Sequence, residues 1–200
     1  MAEHDGVDVQ IDNLSSIGRK LLRFNFNDKY RRLVVDGDGD EDARAMLETL
    51  KPADLLGVPV TDHNHAAGVL AGMWLWHDWL DEAHRICQAI ETPTGSFWHA
   101  IMHRREGDFS NSKSWYNRVG EHPVYASIAA HAGTLLNPLP MDKSLVRLTH
   151  NGWNPHVLVD LVQEAVRSGD ESRKSLLANL QQIEWRMLFD HCVREATARN

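Results

Sequence analysis

The chain has 200 residues, of which 42% are hydrophobic and 24% are charged, a composition that suits one globular domain with a buried core. Its net charge of -7 argues against a general nucleic-acid-binding protein, because phosphate contacts need a concentrated basic surface. No apolar run approaches the roughly 18 residues that span a bilayer, and the sequence starts without a secretory signal, so we expect a cytoplasmic protein that does not enter a membrane.

Helical periodicity runs through nearly the whole chain, and the alternation typical of strands is scarce, which predicts an all-α fold. Asn154 followed by Pro155 is a strong helix start, with a capping side chain and a proline in the first turn. Cys87 and Cys192 lie in helical patterns without CxxC spacing, so we expect buried free thiols. The predicted helices cover residues 14–24, 42–50, 65–76, 80–90, 96–106, 109–119, 124–136, 155–169 and 170–198.

These helices are predicted to form a single domain over residues 1–200. Residues 1–40 would be an N-terminal extension, either a flexible arm or a docked helix. Residues 63–123 would form a core of two helical hairpins, and residues 154–198 would supply the C-terminal helices.

An internal repeat underlies the hairpin core. Shifting the chain by 29 residues places Met73 on Met102, and each copy reads as two helices joined by a short turn, the unit of stacked α-repeat folds. The second copy has turn, small and aromatic residues at characteristic positions: Gly107, Asp108, Phe109, Ser112, Tyr116 and Pro123. On these residues the segment 66–123 resembles tetratricopeptide repeats, which implies stacked antiparallel helical hairpins with flanking N- and C-terminal helices. Residues 94–123 also resemble a group of uncharacterised bacterial proteins, a resemblance that implies no activity.

The most informative polar pattern lies in the first helix of the second hairpin. His99, His103 and Glu106 stand at i, i+4 and i+7, so they point within about 60° of one another on one stripe of the helix. The repeat alignment assigns the two histidines to packing positions, which Leu70 and Trp74 occupy in the first copy. Two histidines in such positions would be destabilising unless they are hydrogen-bonded or bound to a ligand.

This pattern predicts a metal site in which His99 and His103 are ligands and Glu106 is either a third ligand or the catalytic base. It differs from the HExxH motif of zinc proteases because the glutamate follows the second histidine. The expected cofactor is a divalent metal ion, namely zinc, iron or manganese. The alternative is a buried hydrogen-bond network without a metal.

His77 and His84 are the further candidate metal ligands. With Asp81 they repeat the i, i+4, i+7 spacing, and His77 aligns with Glu106 in the repeat. A helix break near Trp79 would separate the members of this second set, and exposed polar residues at a turn are the alternative interpretation.

Two other polar groups have simpler interpretations. Asp62 precedes the first hairpin helix and is expected to cap it. Glu184, His191 and Glu195 share one face of the last helix, where a partly exposed ion pair is the default and completion of the metal site by His191 is the alternative.

Two functions from different classes fit these patterns. The first is a metal-dependent or acid–base site that acts on a small molecule. The second is a non-catalytic helical scaffold that binds a peptide or a partner protein. The chain has neither a GxSxG motif nor a glycine-rich phosphate loop, so the reaction and the substrate stay open at this stage.

Overall fold

A computed structural model describes residues 11–24, 29–139 and 143–198. Across these residues the fold is all-α, as predicted, and contains isolated β-bridges but no strand. None of the described helices is both long enough and apolar enough to cross a membrane. The helices are α1 (Ser16–Arg23), α2 (Glu41–Leu47), α3 (His63–Trp76), α4 (Leu80–Cys87), α5 (Pro93–Glu106), α6 (Phe109–Val119), α7 (Val124–Leu136), α8 (Lys143–Thr149), α9 (Pro155–Ser168) and α10 (Glu171–Thr197).

Helix boundaries follow the capping residues. The bounds of α6 and α7 agree with the prediction, whereas α5 begins three residues early because the Thr92 side chain accepts a hydrogen bond from the Gly95 N–H and Pro93 fits the first turn. Asp62 caps α3 by accepting a hydrogen bond from the His65 N–H, as expected. Helix α8 (Lys143–Thr149) was not predicted from the sequence. Residues 1–10 and 25–28 of the predicted extension lie outside the described residues.

Sharp turns separate α3 from α4 and α5 from α6, and the helices of each pair pack against each other. The first turn passes through Asp78, whose φ of 66° lies in the left-handed region. The second uses Gly107, whose φ of 90° suits glycine, and Asp108, whose side chain caps α6 through the Asn111 N–H. Because α5 also contacts α4, one face of α5 is shared with the helices on either side of it in the sequence.

Helix α5 is almost entirely buried, because α3 and α10 cover its apolar side. Trp98 is fully buried there, against glycines of α3. A Cβ atom at Gly72 would lie 2.9 Å from the Trp98 ring and 3.0 Å from the Phe189 ring, so only glycine allows this close approach. This packing fixes α5 against α3 and α10 at Trp98.

Two consecutive arginines, Arg104 and Arg105, are also fully buried on α5. Arg104 forms an ion pair with Glu184 of α10 and donates hydrogen bonds to Gln181 Oε1 and Tyr116 Oη, both at 2.8 Å. Glu184 is fully buried and accepts a second hydrogen bond from Tyr116, so it belongs to this network and does not form the partly exposed ion pair expected from the sequence.

Arg105 points in a different direction and joins a second set of contacts. It donates hydrogen bonds to the Leu75 carbonyl at 2.8 Å and to Asp78 Oδ1 at 2.7 Å. Its guanidinium group lies 3.9 Å from the centre of the Tyr30 ring. Buried charges that are paired and hydrogen-bonded in this way resist displacement, because moving one partner would leave the other uncompensated.

Candidate metal centre

Three histidines from two helices converge on one side of α5. His84 lies on α4, and His99 and His103 lie one turn apart on α5. One ring nitrogen from each lies within 4.8 Å of the others, and no other group of metal-binding side chains is this compact in the part of the chain that the structure describes. Their ring centres are 4.6, 4.8 and 5.3 Å apart. This cluster contains three of the five predicted ligands.

A cavity of about 320 Å³ lies over the three rings. Helix α6 contributes Asn111, Trp115 and Arg118 to its wall, which have the same i, i+4, i+7 spacing as the predicted set on α5. Gln88 and Ser114 complete the lining. Since the short Gly107–Asp108 turn sets α6 against α5, these two stripes meet. The side chains that line the cavity within the described residues include no carboxylate.

The histidines of α5 are part of a stack of flat rings. His99 lies parallel to Trp115, with 3.8 Å between ring centres and 16° between planes, and His103 lies parallel to His99. His99 is 2% exposed and His103 is 6% exposed, whereas His84 is half-buried. The stack limits rotation of the two buried imidazoles and leaves His84 as the adjustable member.

His84 and His99 have no hydrogen-bond partner for their ring nitrogens among the described residues. The Nδ1 atom of His99 is buried without a partner. Buried polar groups nearly always have a hydrogen bond or bind an ion, so this nitrogen calls for an explanation. A metal ion would supply the missing interaction.

His103 differs because the atoms around it already fix its ring. Its Nδ1–H donates a hydrogen bond of 2.9 Å to Glu106 Oε2, which leaves Nε2 as the nitrogen with a free electron pair. Carboxylates hold metal-binding histidines in the same way in many proteins. The Asn111 amide nitrogen lies 3.1 Å from His103 Nε2 and would have to withdraw before this atom could bind a metal.

Burial keeps His99 in the neutral form that metals require. The pKa of His99 falls to about 3, chiefly because burial disfavours the charged ring, with smaller contributions from His103, His84 and Arg118. The ring therefore offers a nitrogen electron pair to a metal at neutral pH without first losing a proton.

The three nitrogens need a modest adjustment before they can share one ion. Nitrogens bound to a tetrahedral zinc ion at about 2.0–2.1 Å are roughly 3.3 Å apart, which is closer than the present limit of 4.8 Å. His84 can move toward the others because it is half-buried and makes no side-chain hydrogen bond among the described residues.

The two remaining predicted site residues occupy other places. His77 ends α3 and is 1% exposed, with its Nε2 atom 3.1 Å from the Leu21 carbonyl oxygen of α1, so the structure places it outside the cluster. Burial lowers the pKa of His77 to about 4. Glu106 does not face the cavity as a ligand; it holds His103 and is half exposed.

Asn111, Trp115 and Arg118 were not predicted as site residues from the sequence. Their i, i+4, i+7 spacing on a helix joined to α5 by a two-residue turn was the available signal. The adjacency of two hairpin helices would have placed both stripes on the same cavity.

A second group of histidines lies elsewhere, where α3, the turn before α7 and α10 meet. His191 lies with its ring centre 5.3 Å from that of His65 and 5.2 Å from that of His122. His122 Nδ1 accepts a hydrogen bond from the Val124 N–H, and its Nε2–H donates one to Thr94 Oγ1. The nitrogens of His122 are therefore both in use.

Comparison with known proteins returns no match: no family model, curated protein or solved structure is significantly similar to this chain. The function must therefore be argued from the side chains of the candidate site.

Proposed function

We propose that His84, His99 and His103 bind one divalent metal ion and that the protein is a metal-dependent enzyme for a small substrate. The observation that carries this proposal is the convergence of three imidazoles, two of which have ring nitrogens without a hydrogen-bond partner among the described residues. The second group, His65, His122 and His191, also has an unpaired nitrogen at His65 Nδ1, but its ligand atoms do not converge on one point.

The chemistry of the ligands favours zinc among the three metals predicted from the sequence. Neutral imidazole suits zinc and iron, whereas manganese prefers oxygen ligands. Three protein nitrogens leave one position of a tetrahedral zinc ion for water, which is the arrangement of catalytic zinc sites. A zinc ion held by His84, His99 and His103 would supply Lewis-acid activation of a water or of a substrate oxygen, the chemistry that hydrolysis of a small molecule requires.

Glu106 has a supporting role in this proposal. Its carboxylate accepts the hydrogen bond from His103 Nδ1, which orients the ring and makes Nε2 a better electron donor. The helical spacing alone predicted that Glu106 is a third metal ligand or the catalytic base. In this proposal Glu106 instead positions His103.

Metal content of the full chain tests the proposal. After exposure to zinc, iron(II) or manganese(II) and removal of unbound ions, elemental mass spectrometry should find about one zinc ion per wild-type chain. The variant His99→Ala/His103→Ala should bind none, because two of the three ligands are gone. A matched control, His131→Ala/His150→Ala, removes two histidines outside the cluster and should bind zinc like the wild type.

Circular dichroism would confirm that each variant is folded, and the single variant His84→Gln provides a milder test at a half-buried position. Wild-type protein that binds no metal under any of these conditions would contradict the proposal. The non-catalytic helical scaffold for a peptide or partner protein would then be the better interpretation.

A further inference from the structure

We propose that the substrate of this centre carries an oxyanion group, a carboxylate or a phosphate, and that Arg118 binds this group beside the metal ion. The inference rests on the proposed function. It follows from the charge and the size of the cavity and from the stacking of Arg118 on Trp115.

The charge inside the cavity is unusually one-sided. Three neutral histidines would leave the charge of a divalent ion uncompensated, and no carboxylate lines the cavity among the described residues. Arg118, which is exposed to solvent, adds a further positive charge at the edge of the same cavity. Glu106 lies on the other side of His103 and is engaged by its Nδ1–H. A loaded site of this composition attracts an anion, because opposite charges attract strongly where water is partly excluded.

Arg118 has no carboxylate partner among the described residues, in contrast to the two arginines of α5. Arg104 is paired with Glu184, and Arg105 is paired with Asp78. The guanidinium group of Arg118 instead lies 4.3 Å from the centre of the Trp115 ring.

Stacking on Trp115 prepares Arg118 for an anion. A stacked guanidinium uses its flat face, so the N–H groups around its edge stay available and can form paired hydrogen bonds with a carboxylate or a phosphate. Trp115 also stacks on His99, a proposed metal ligand. The same indole therefore positions both the arginine and one metal ligand.

The volume fits a small molecule or a small group of a substrate. About 320 Å³ lies at the lower end of the roughly 300–1,000 Å³ found for ligand pockets, and the cavity is open to solvent. A cationic group would be repelled by Arg118 and the metal, whereas an oxyanion would be attracted by both.

Cobalt(II) substitution of the full chain tests this inference, because the visible absorption of protein-bound cobalt responds to a new ligand. Inorganic phosphate, acetate and neutral imidazole are each titrated into the wild type, Arg118→Gln and Arg85→Gln. Arg85 is the matched control, since it is exposed on α4, the helix of His84, and does not line the cavity.

Arg118→Gln should weaken the binding of phosphate or acetate by about tenfold or more, which is the effect of losing a charged hydrogen-bond donor. Imidazole should bind all three proteins equally, and Arg85→Gln should behave like the wild type. A larger loss for phosphate assigns a phosphate group to the substrate, and a larger loss for acetate assigns a carboxylate.

Two results would overturn the inference, and they differ from each other. Equal binding of the anions by the wild type and Arg118→Gln, with cobalt bound to both, would remove Arg118 from substrate binding and leave the metal centre intact. A wild-type protein without cobalt absorption would show that the proposed metal centre itself fails, and the oxyanion site would fail with it.

Discussion

Two groups of three histidines in the described part of the chain differ in how their ring nitrogens are arranged. The cavity group is His84, His99 and His103, and the interior group is His65, His122 and His191. In the cavity group, His84 and His99 have no hydrogen-bond partner for their rings among the described residues. In the interior group, His122 has a hydrogen-bond partner for each ring nitrogen, whereas His65 and His191 only have carboxylates nearby, and His65 Nδ1 is buried without a hydrogen-bond partner. The distances are 3.2 Å from His65 Nδ1 to Asp62 Oδ1 and 3.9 Å from His191 Nδ1 to Glu195 Oε1.

The comparison shows that proximity of histidines alone does not define a metal site. Both groups bring ring centres to about 5 Å, yet only the cavity group brings three ligand atoms within reach of one ion. Each group contains a buried nitrogen without a hydrogen-bond partner, His99 Nδ1 and His65 Nδ1, so the convergence of ligand atoms distinguishes the cavity group. We therefore expect the cavity group to contribute function and the interior group to contribute stability.

The largest expected difference is the response of stability to zinc. Free zinc at 100 times its Kd should raise the free energy of unfolding of the wild type by about 2.7 kcal/mol, because the ion binds only the folded chain. His84→Gln should lose this response, and His122→Gln should keep it. Urea unfolding followed by circular dichroism, with and without zinc, measures the effect. A response lost in His122→Gln but kept in His84→Gln would reverse the assignment of the two groups.

In metal-free protein, alanine in the interior group should lower the free energy of unfolding more than alanine in the cavity group. His122→Ala should lower the free energy of unfolding by about 1–3 kcal/mol, because the buried Val124 N–H and Thr94 hydroxyl lose their partner. His84→Ala should cost about 0.5 kcal/mol or less, since its half-buried ring makes no hydrogen bond among the described residues. Denaturant midpoints of the two metal-free variants test the comparison, and equal losses would count against it.

A smaller effect should appear in the pH dependence of stability. Burial lowers the pKa of His122 from the ordinary 6.5 to about 4, with His191 and His65 adding to the shift. The unfolded chain therefore binds this proton first on acidification. The contribution of His122 to the free energy of unfolding is complete above pH 6.5 and is lost as the pH falls toward about 4, with a slope of up to about 1.4 kcal/mol per pH unit.

His122→Gln should remove this part of the slope in metal-free protein. Some slope should persist, because the pKa of His77 is lowered to about 4 by burial as well. Urea unfolding at several pH values between about 4.5 and 7.5 measures the difference between the two slopes. Identical slopes in the wild type and the variant would show that His122 does not titrate as its surroundings imply.

Much of the fold followed from the sequence because helical periodicity and caps are local. The spacing of apolar residues in α6 and α7 and the Asn154–Pro155 start of α9 were sufficient to place those helices. The burial of Arg104 and Arg105 could not be predicted, because it depends on Glu184 and Asp78, which are 80 and 27 residues away in the chain.

The candidate site was predictable where its residues share one helix. The i, i+4 spacing of His99 and His103 identified the stripe, and that of Asn111 and Trp115 would have identified the facing one. The place of His77 was not predictable, because its ring turns toward the Leu21 carbonyl at the end of α3, and helical spacing does not extend past a helix end.

The consecutive residues His103, Arg104 and Arg105 have a consequence for how a metal would be captured. Their side chains leave α5 about 100° apart, so one points to the cavity and two are fixed in separate buried networks. Any rotation of α5 about its axis would break contacts in both networks. The conformational entropy of orienting His99 and His103 is thus lost during folding. The entropy lost on metal binding comes mainly from the side chain of His84.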